Sequence, residues 1–143
     1  MSNYAQLVLN SDGVSAVGTA SNYTTTLSNR ITLNAFSTWE VAVQSATFST
    51  PNPYTNKSVL IECNLADFSY INNDRKKIVL KTNMNHSTPL ENELTHVIPQ
   101  TLNWVKMTTI DFNTINIKIE DSEGVAVPNT YPSSVTLVIR VVP

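Results

Sequence analysis

This sequence is short of charge. Only 14% of its 143 residues are charged, against about a quarter in ordinary soluble domains. With 9 basic and 11 acidic residues the net charge is −2, which speaks against a polyanionic partner such as nucleic acid. A surface so short of charge is either dressed in uncharged polar groups or hidden against neighbouring chains. Glycine is scarce too. With 3 Gly in the chain, few turns have a free choice of positive φ, and Asn, which tolerates the left-handed region, is expected to fill some of them. The lone Cys63 excludes an internal disulfide framework. No apolar run approaches the ~20 residues of a spanning helix. Met1-Ser2-Asn3-Tyr4 has neither the basic nor the apolar region of a signal peptide, and no Lys or Arg precedes Arg30.

Catalytic signatures are missing as well. The chain has no Gly-x-Ser-x-Gly elbow, no glycine-rich phosphate loop and no His-Glu-x-x-His. His86 and His96 are its only histidines. A metal site would need both to converge with Glu91 or Glu93, so they are read as surface or half-buried side chains. The acidic run Glu120-Asp121-Ser122-Glu123-Gly124 offers too few oxygens at one turn to hold calcium unaided and is read as a solvated connection. Arg75-Lys76-Lys77 is likewise read as a solvated face. No catalytic, cofactor-binding or metal-ligating residue is assigned, no cofactor is expected, and no interface residue is singled out.

What is present is β-structure from end to end. Ile115, Ile117 and Ile119 alternate with Asn116, Lys118 and Glu120. Val135, Leu137, Ile139 and Val141 alternate with Thr136 and Arg140, although Val138 and Val142 blur the polar face. Such a period of two marks strands with one face in a core and the other wet. The chain holds 18 Thr, 17 Asn and 14 Ser; Thr suits a pleated surface, while Asn and Ser suit turns.

The pattern predicts strands at Gln6–Asn10, Thr24–Leu33, Glu40–Phe48, Ser58–Leu65, Lys77–Thr82, Thr95–Ile98, Val105–Thr108, Thr114–Glu120 and Ser134–Val142. Loops are expected at Ser11–Gly18, Ser49–Asn56, Asn72–Arg75, Asn83–Glu91 and Asp121–Pro132. Asn64–Tyr70 is expected to be loop or a single helical turn. Pro51-Asn52-Pro53 is a firm break, because proline cannot donate to a ladder. Eight or nine short strands in one domain, residues 1–143, point to a sandwich or closed barrel.

Trp39 shares a face with Val41 and Val43 and is expected in the core. Cys63, on the face of Val59, Ile61 and Leu65, is expected to be a buried structural thiol. Trp104 fits either a core side chain or an exposed platform for a sugar ring. Tyr4, Tyr23, Tyr54, Tyr70 and Tyr131 lie in or beside loops, where tyrosine serves either binding or anchoring. Sequons at Asn22, Asn56 and Asn85 are read as chance matches in an Asn- and Thr-rich chain.

Several segments, in order, resemble the single jelly-roll penton proteins of the polinton, virophage and polinton-like virus group. The strongest is Trp39-Glu40-Val41-Ala42-Val43-Gln44-Ser45-Ala46-Thr47-Phe48, which resembles that family's Trp-Glu-Val strand opening, running on to an aromatic and a proline as Phe48 and Pro51 do here. Leu7-Val8-Leu9-Asn10-Ser11, Asn22–Leu27 and Val59–Leu65 resemble the family's earlier and middle strands. Ile115–Gly124 and Val135–Arg140 resemble its closing pair.

The resemblance implies an all-β fold, a single jelly-roll β-sandwich of about eight antiparallel strands. It also implies a structural, non-enzymatic role: a minor capsid subunit forming homopentamers at the five-fold vertices of an icosahedral virion. Its partners would be itself and a double jelly-roll major capsid protein, with no direct nucleic-acid contact and no membrane span. Assembly would take place inside the infected cell. The residues leave two rival readings open. One is a carbohydrate-binding, adhesin-like sandwich led by Trp104 and the loop tyrosines. The other is a single jelly-roll major capsid protein of a small virus, which the lack of a basic N-terminal arm disfavours. An enzyme is a distant third.

Overall fold

The computed structural model describes residues 5–50, 54–71, 74–86, 93–128 and 131–142. In chain order its strands are β1 (Ala5–Asn10), β2 (Ala16–Thr19), β3 (Asn22–Thr32), β4 (Trp39–Thr50), β5 (Tyr54–Cys63), β6 (Ser69–Ile71), β7 (Asp74–Lys76), β8 (Ile78–His86), β9 (Glu93–Val97), β10 (Val105–Lys106), β11 (Asp111–Asp121) and β12 (Ser134–Val141). All of the pairings are antiparallel, and no helix occurs among the described residues.

One sheet runs β1-β12-β4, and the far edge of β4 is shared by β9 and the two-residue β10. The other runs β2-β3-β11-β5-β8. Setting aside the short β2, β6, β7 and β10, eight strands remain, in two facing orders, β1-β12-β4-β9 and β3-β11-β5-β8. That interleaving, in which the first and last strands pair and the chain crosses repeatedly between the sheets, is the single jelly roll.

The inner faces build one core. Ile115, Ile117 and Ile119 of β11 and Val59, Ile61 and Cys63 of β5 meet Val41, Phe48, Leu137 and Ile139 of the opposite sheet, all essentially inaccessible to solvent. Burying each large aliphatic side chain contributes roughly 1.5–3 kcal/mol, which makes alternation on central strands such a strong determinant of register.

On β4 the alternation changes phase. Leu137 faces Val43 while Thr136 faces Ser45, so Gln44 is an extra residue in the ladder. The inward set therefore passes from Trp39, Val41 and Val43 to Ala46 and Phe48, as a β-bulge requires. The Gln44 amide so placed accepts from Gln6 Nε2 at 2.5 Å, a bond that reaches from β1 to β4. Val138 of β12, opposite Gln6 on one side and Ala42 of β4 on the other, is buried together with Ala42 although both point away from the core. This explains the apolar Val138 that breaks the polar face of β12.

Among the described residues twelve strands replace the nine expected. The predicted loop Ser11–Gly18 runs into β2, and β3 begins two residues before the expected Thr24. The Asn64–Tyr70 stretch is a turn followed by β6, and the predicted loop Asn72–Arg75 ends inside β7. β8 continues to His86 through the start of the predicted loop Asn83–Glu91, while β10 is only Val105–Lys106. The ends of the predicted loop Ser49–Asn56 belong to β4 and β5; its middle, 51–53, lies outside the described residues.

Candidate functional site

The charged residues gather on the outer face of the second sheet. Because β11 and β5 turn their odd-numbered residues inward, Asn116, Lys118 and Glu120 stand outward beside Ser58, Leu60 and Glu62. Lys118 is opposite Glu62, and Glu120 is opposite Leu60, so the two glutamates are diagonal neighbours on one face, close enough for long side chains to meet. The β6–β7 hairpin, paired from Ser69↔Lys76 to Ile71↔Asp74, leans over this face. From it Lys76 Nζ makes an ion pair with Glu120 Oε1, both side chains largely shielded from solvent. Leu60 is fully buried although it points outward.

Burial raises the Glu62 carboxyl from 4.5 to about 7, helped by its hydrogen bond to Glu120. Burial works against ionisation of Glu120 too, but hydrogen bonds from Glu62 and Lys76 outweigh it and lower its value. The Glu120 hydrogen bond raises Lys76. One proton is thus held between two carboxyls near neutrality, with an ammonium on the ionised partner.

Beside this pair lies a hollow of about 170 Å3, with Glu62, Phe68, Arg75, Lys77, Asn116 and Lys118 in its lining. The Arg75 guanidinium sits 3.9 Å and the Lys77 ammonium 4.9 Å from the centre of the Phe68 ring, within cation–π range. Asn64 holds the corner: its Oδ1 accepts from Asn116 N at 2.9 Å and its carbonyl from Lys77 Nζ at 3.2 Å. The expectation that Arg75-Lys76-Lys77 is a solvated face holds for exposed Arg75 and is corrected for Lys76 and Lys77, which are half-buried; each of the three side chains has a partner, aromatic or acidic.

The outer face of the first sheet is mostly uncharged. Among the described residues its charges are Glu40 and Arg140, paired at 3.0 Å, and Lys106 opposite Glu40. Arg140 also lies 4.0 Å over the Trp104 ring, so half-buried Trp104 is neither core nor an open platform. His96 is exposed, with Nδ1 2.8 Å from Thr47 Oγ1. Among the described residues no three potential ligands converge as a metal site; the side chains of His86 and Glu93, and Glu91 altogether, lie outside them.

Trp39 is buried as expected, its Nε1 donating to Asn34 O at 2.9 Å. Cys63 is buried, and burial pushes its thiol to about 12, so it is no nucleophile at neutral pH. Tyr23 departs from its expected place beside a loop. It is a core residue of β3, 1% exposed, with its hydroxyl donating to Leu9 O at 3.0 Å, and burial raises its value. Tyr70 and Tyr131 are exposed; Tyr4 and the Tyr54 side chain lie outside the described residues, as do the sequon side chains Asn56 and Asn85. Asn22 is exposed, its Oδ1 accepting from Asn116 Nδ2 at 3.0 Å. Asp121 is buried rather than solvated, and its Oδ1 accepts from the backbone of Glu123 at 2.9 Å and of Val125 at 3.0 Å.

The Glu62–Glu120–Lys76 group was not foreseen. Its one sequence-level sign is a glutamate set between Ile61 and Cys63 in a strand; what it meets depends on register.

No protein-family model and no curated protein sequence matches this chain. Among solved structures it is similar to the mavirus penton protein, with a TM-score of 0.47 and 14% identity over 62% of this chain. The match spans 35% of that protein's length.

Proposed function

We propose that this chain is a penton subunit, a minor capsid protein that assembles as a homopentamer at the five-fold vertices of an icosahedral virion. The observation that carries the reading is the complete eight-strand order, β1-β12-β4-β9 against β3-β11-β5-β8, in a chain whose segments resemble penton proteins in the same sequence order. It is an argument from fold and pattern rather than from a reactive site, and no catalytic role belongs to it.

The surface is consistent with assembly. Charge is sparse, and large apolar residues such as Phe36, Val14 and Ile98 stand fully or mostly exposed on connections at the ends of the sandwich. Five copies would meet head-to-tail through unlike surfaces, with a rotation that closes the ring. The double jelly-roll major capsid protein is the expected surrounding partner. The sugar-binding rival is less well supported, because its leading platform, Trp104, already has Arg140 over its ring.

Light scattering of the purified chain across a concentration series tests the proposal. Five copies of the 15.8 kDa chain give 5 × 15.8, about 79 kDa, and a species of that mass is expected. A strict monomer at every concentration overturns the self-assembling pentamer.

A further inference from the structure

The hollow under the β6–β7 hairpin holds more cations than its own acids use. Lys76 is committed to Glu120. Arg75, Lys77 and Lys118 line the same space and enter no ion pair among the described residues. Arg75 and Lys77 rest on Phe68, which fixes their position without neutralising them. Phe68 is itself 44% exposed and Tyr70 on the same hairpin 69% exposed, so an apolar shoulder adjoins the charged floor.

We propose that this hollow is a docking site for an acidic peptide segment of a partner protein, one carboxylate entering among Arg75, Lys77 and Lys118 while a neighbouring apolar side chain covers Phe68 and Tyr70. Three cations faced by one acid attract a carboxylate or a phosphate alike, and the exposed Phe68 and Tyr70 decide between them. Neither exposed aromatic has a role for an inorganic anion. A nucleic-acid strand is disfavoured, because Asp67 and Asp74 of the same connection and Glu62 and Glu120 on the sheet interrupt the basic residues, and phosphate tracking needs a continuous basic surface. The site would serve a monomer and a ring equally.

Glu62 ties docking to pH. It is faced by Glu120 and Lys118 from β11, by Lys76 from β7, and by Arg75 and Lys77 at the rim. While it carries its proton it does not repel an incoming carboxylate and has a donor to offer; once ionised it competes for the same cations.

The test is fluorescence anisotropy of a labelled peptide of alternating Glu and Phe, titrated with the full chain. Binding is expected at low salt, tighter at pH 6 than at pH 8 by roughly three- to tenfold, with Glu62→Gln removing that pH dependence. Lys118→Gln and Arg75→Gln should each weaken it several-fold, while Lys106→Gln on the opposite sheet should not. Unchanged melting curves would show that the exposed-site variants remain folded. Absence of binding at pH 6, equal weakening by Lys106→Gln, or displacement of the peptide by an equal concentration of inorganic phosphate would each overturn the assignment.

Discussion

At the scale of single residues, the turn after β11 depends on one carboxylate. Asp121 is held out of solvent, accepts two backbone N–H groups through Oδ1, and closes the turn again where its own N–H donates to Val125 O at 2.8 Å. Gly124 completes it at φ +84°, a conformation costing other L-residues about 1–2 kcal/mol. Replacing Asp121 by Ala removes the acceptor of two partly shielded N–H groups and is expected to cost about 1–3 kcal/mol in urea unfolding, at about 0.5–1.5 kcal/mol for each bond. Asp121→Asn keeps an acceptor and should lose less; equal losses would place the effect in charge rather than in these bonds. In the sequence this residue stood among other acids at a turn and looked solvated. What distinguishes it is its aim at the backbone, which composition does not carry. Tyr23 was hidden for a similar reason: its ring is inward because β3 starts before it and sets it opposite Ile117.

At the scale of elements, the strands that could be read were those whose inward apolar residues recur at every second position, as Ile115 to Ile119 and Val135 to Val141 do. β11 and β12 are such strands, central in their sheets and packed on both edges. The phase change on β4 was not legible, because an extra Gln44 looks like any other polar residue until Thr136 and Leu137 show what it faces. β2, β6 and β7 are too short, at 4, 3 and 3 residues, to display a period, and they exist because a neighbouring strand supplies the other half of each ladder. Position in the sheet predicts how firmly each strand is held. In native-state hydrogen exchange the amides of Ile117, Ile119, Leu137 and Ile139 should exchange last, and those of the edge strands β2 and β9 first. Protection of β2 equal to that of β11 would contradict the sheet order.

At the scale of the whole molecule, the carboxyl pair sets the response to pH. Glu62 has a raised value in the folded chain, so between 4.5 and about 7 the folded state binds the proton more tightly than the unfolded one. Its contribution is complete below 4.5 and is lost as pH rises through 7. Glu120 and Asp111, the latter lowered by hydrogen bonds from Arg30 and Thr32, behave oppositely, their contributions fading as pH falls below the ordinary carboxyl range. The denaturation midpoint should therefore peak on the acid side of neutrality and decline towards pH 8, and Glu62→Gln should flatten that decline; a midpoint that rises from pH 5 to pH 8 would contradict this. The β1–β12 ladder bears on synthesis. Leu7 lies opposite Leu137, and β12 is the strand between β1 and β4, so the first sheet has no middle until β12 leaves the ribosome. At ordinary elongation speeds β1 and β4 wait on the order of ten seconds with their edges open. In a cell translating many copies side by side, nascent chains are most at risk of pairing with one another during that interval, and chaperone binding would matter most then.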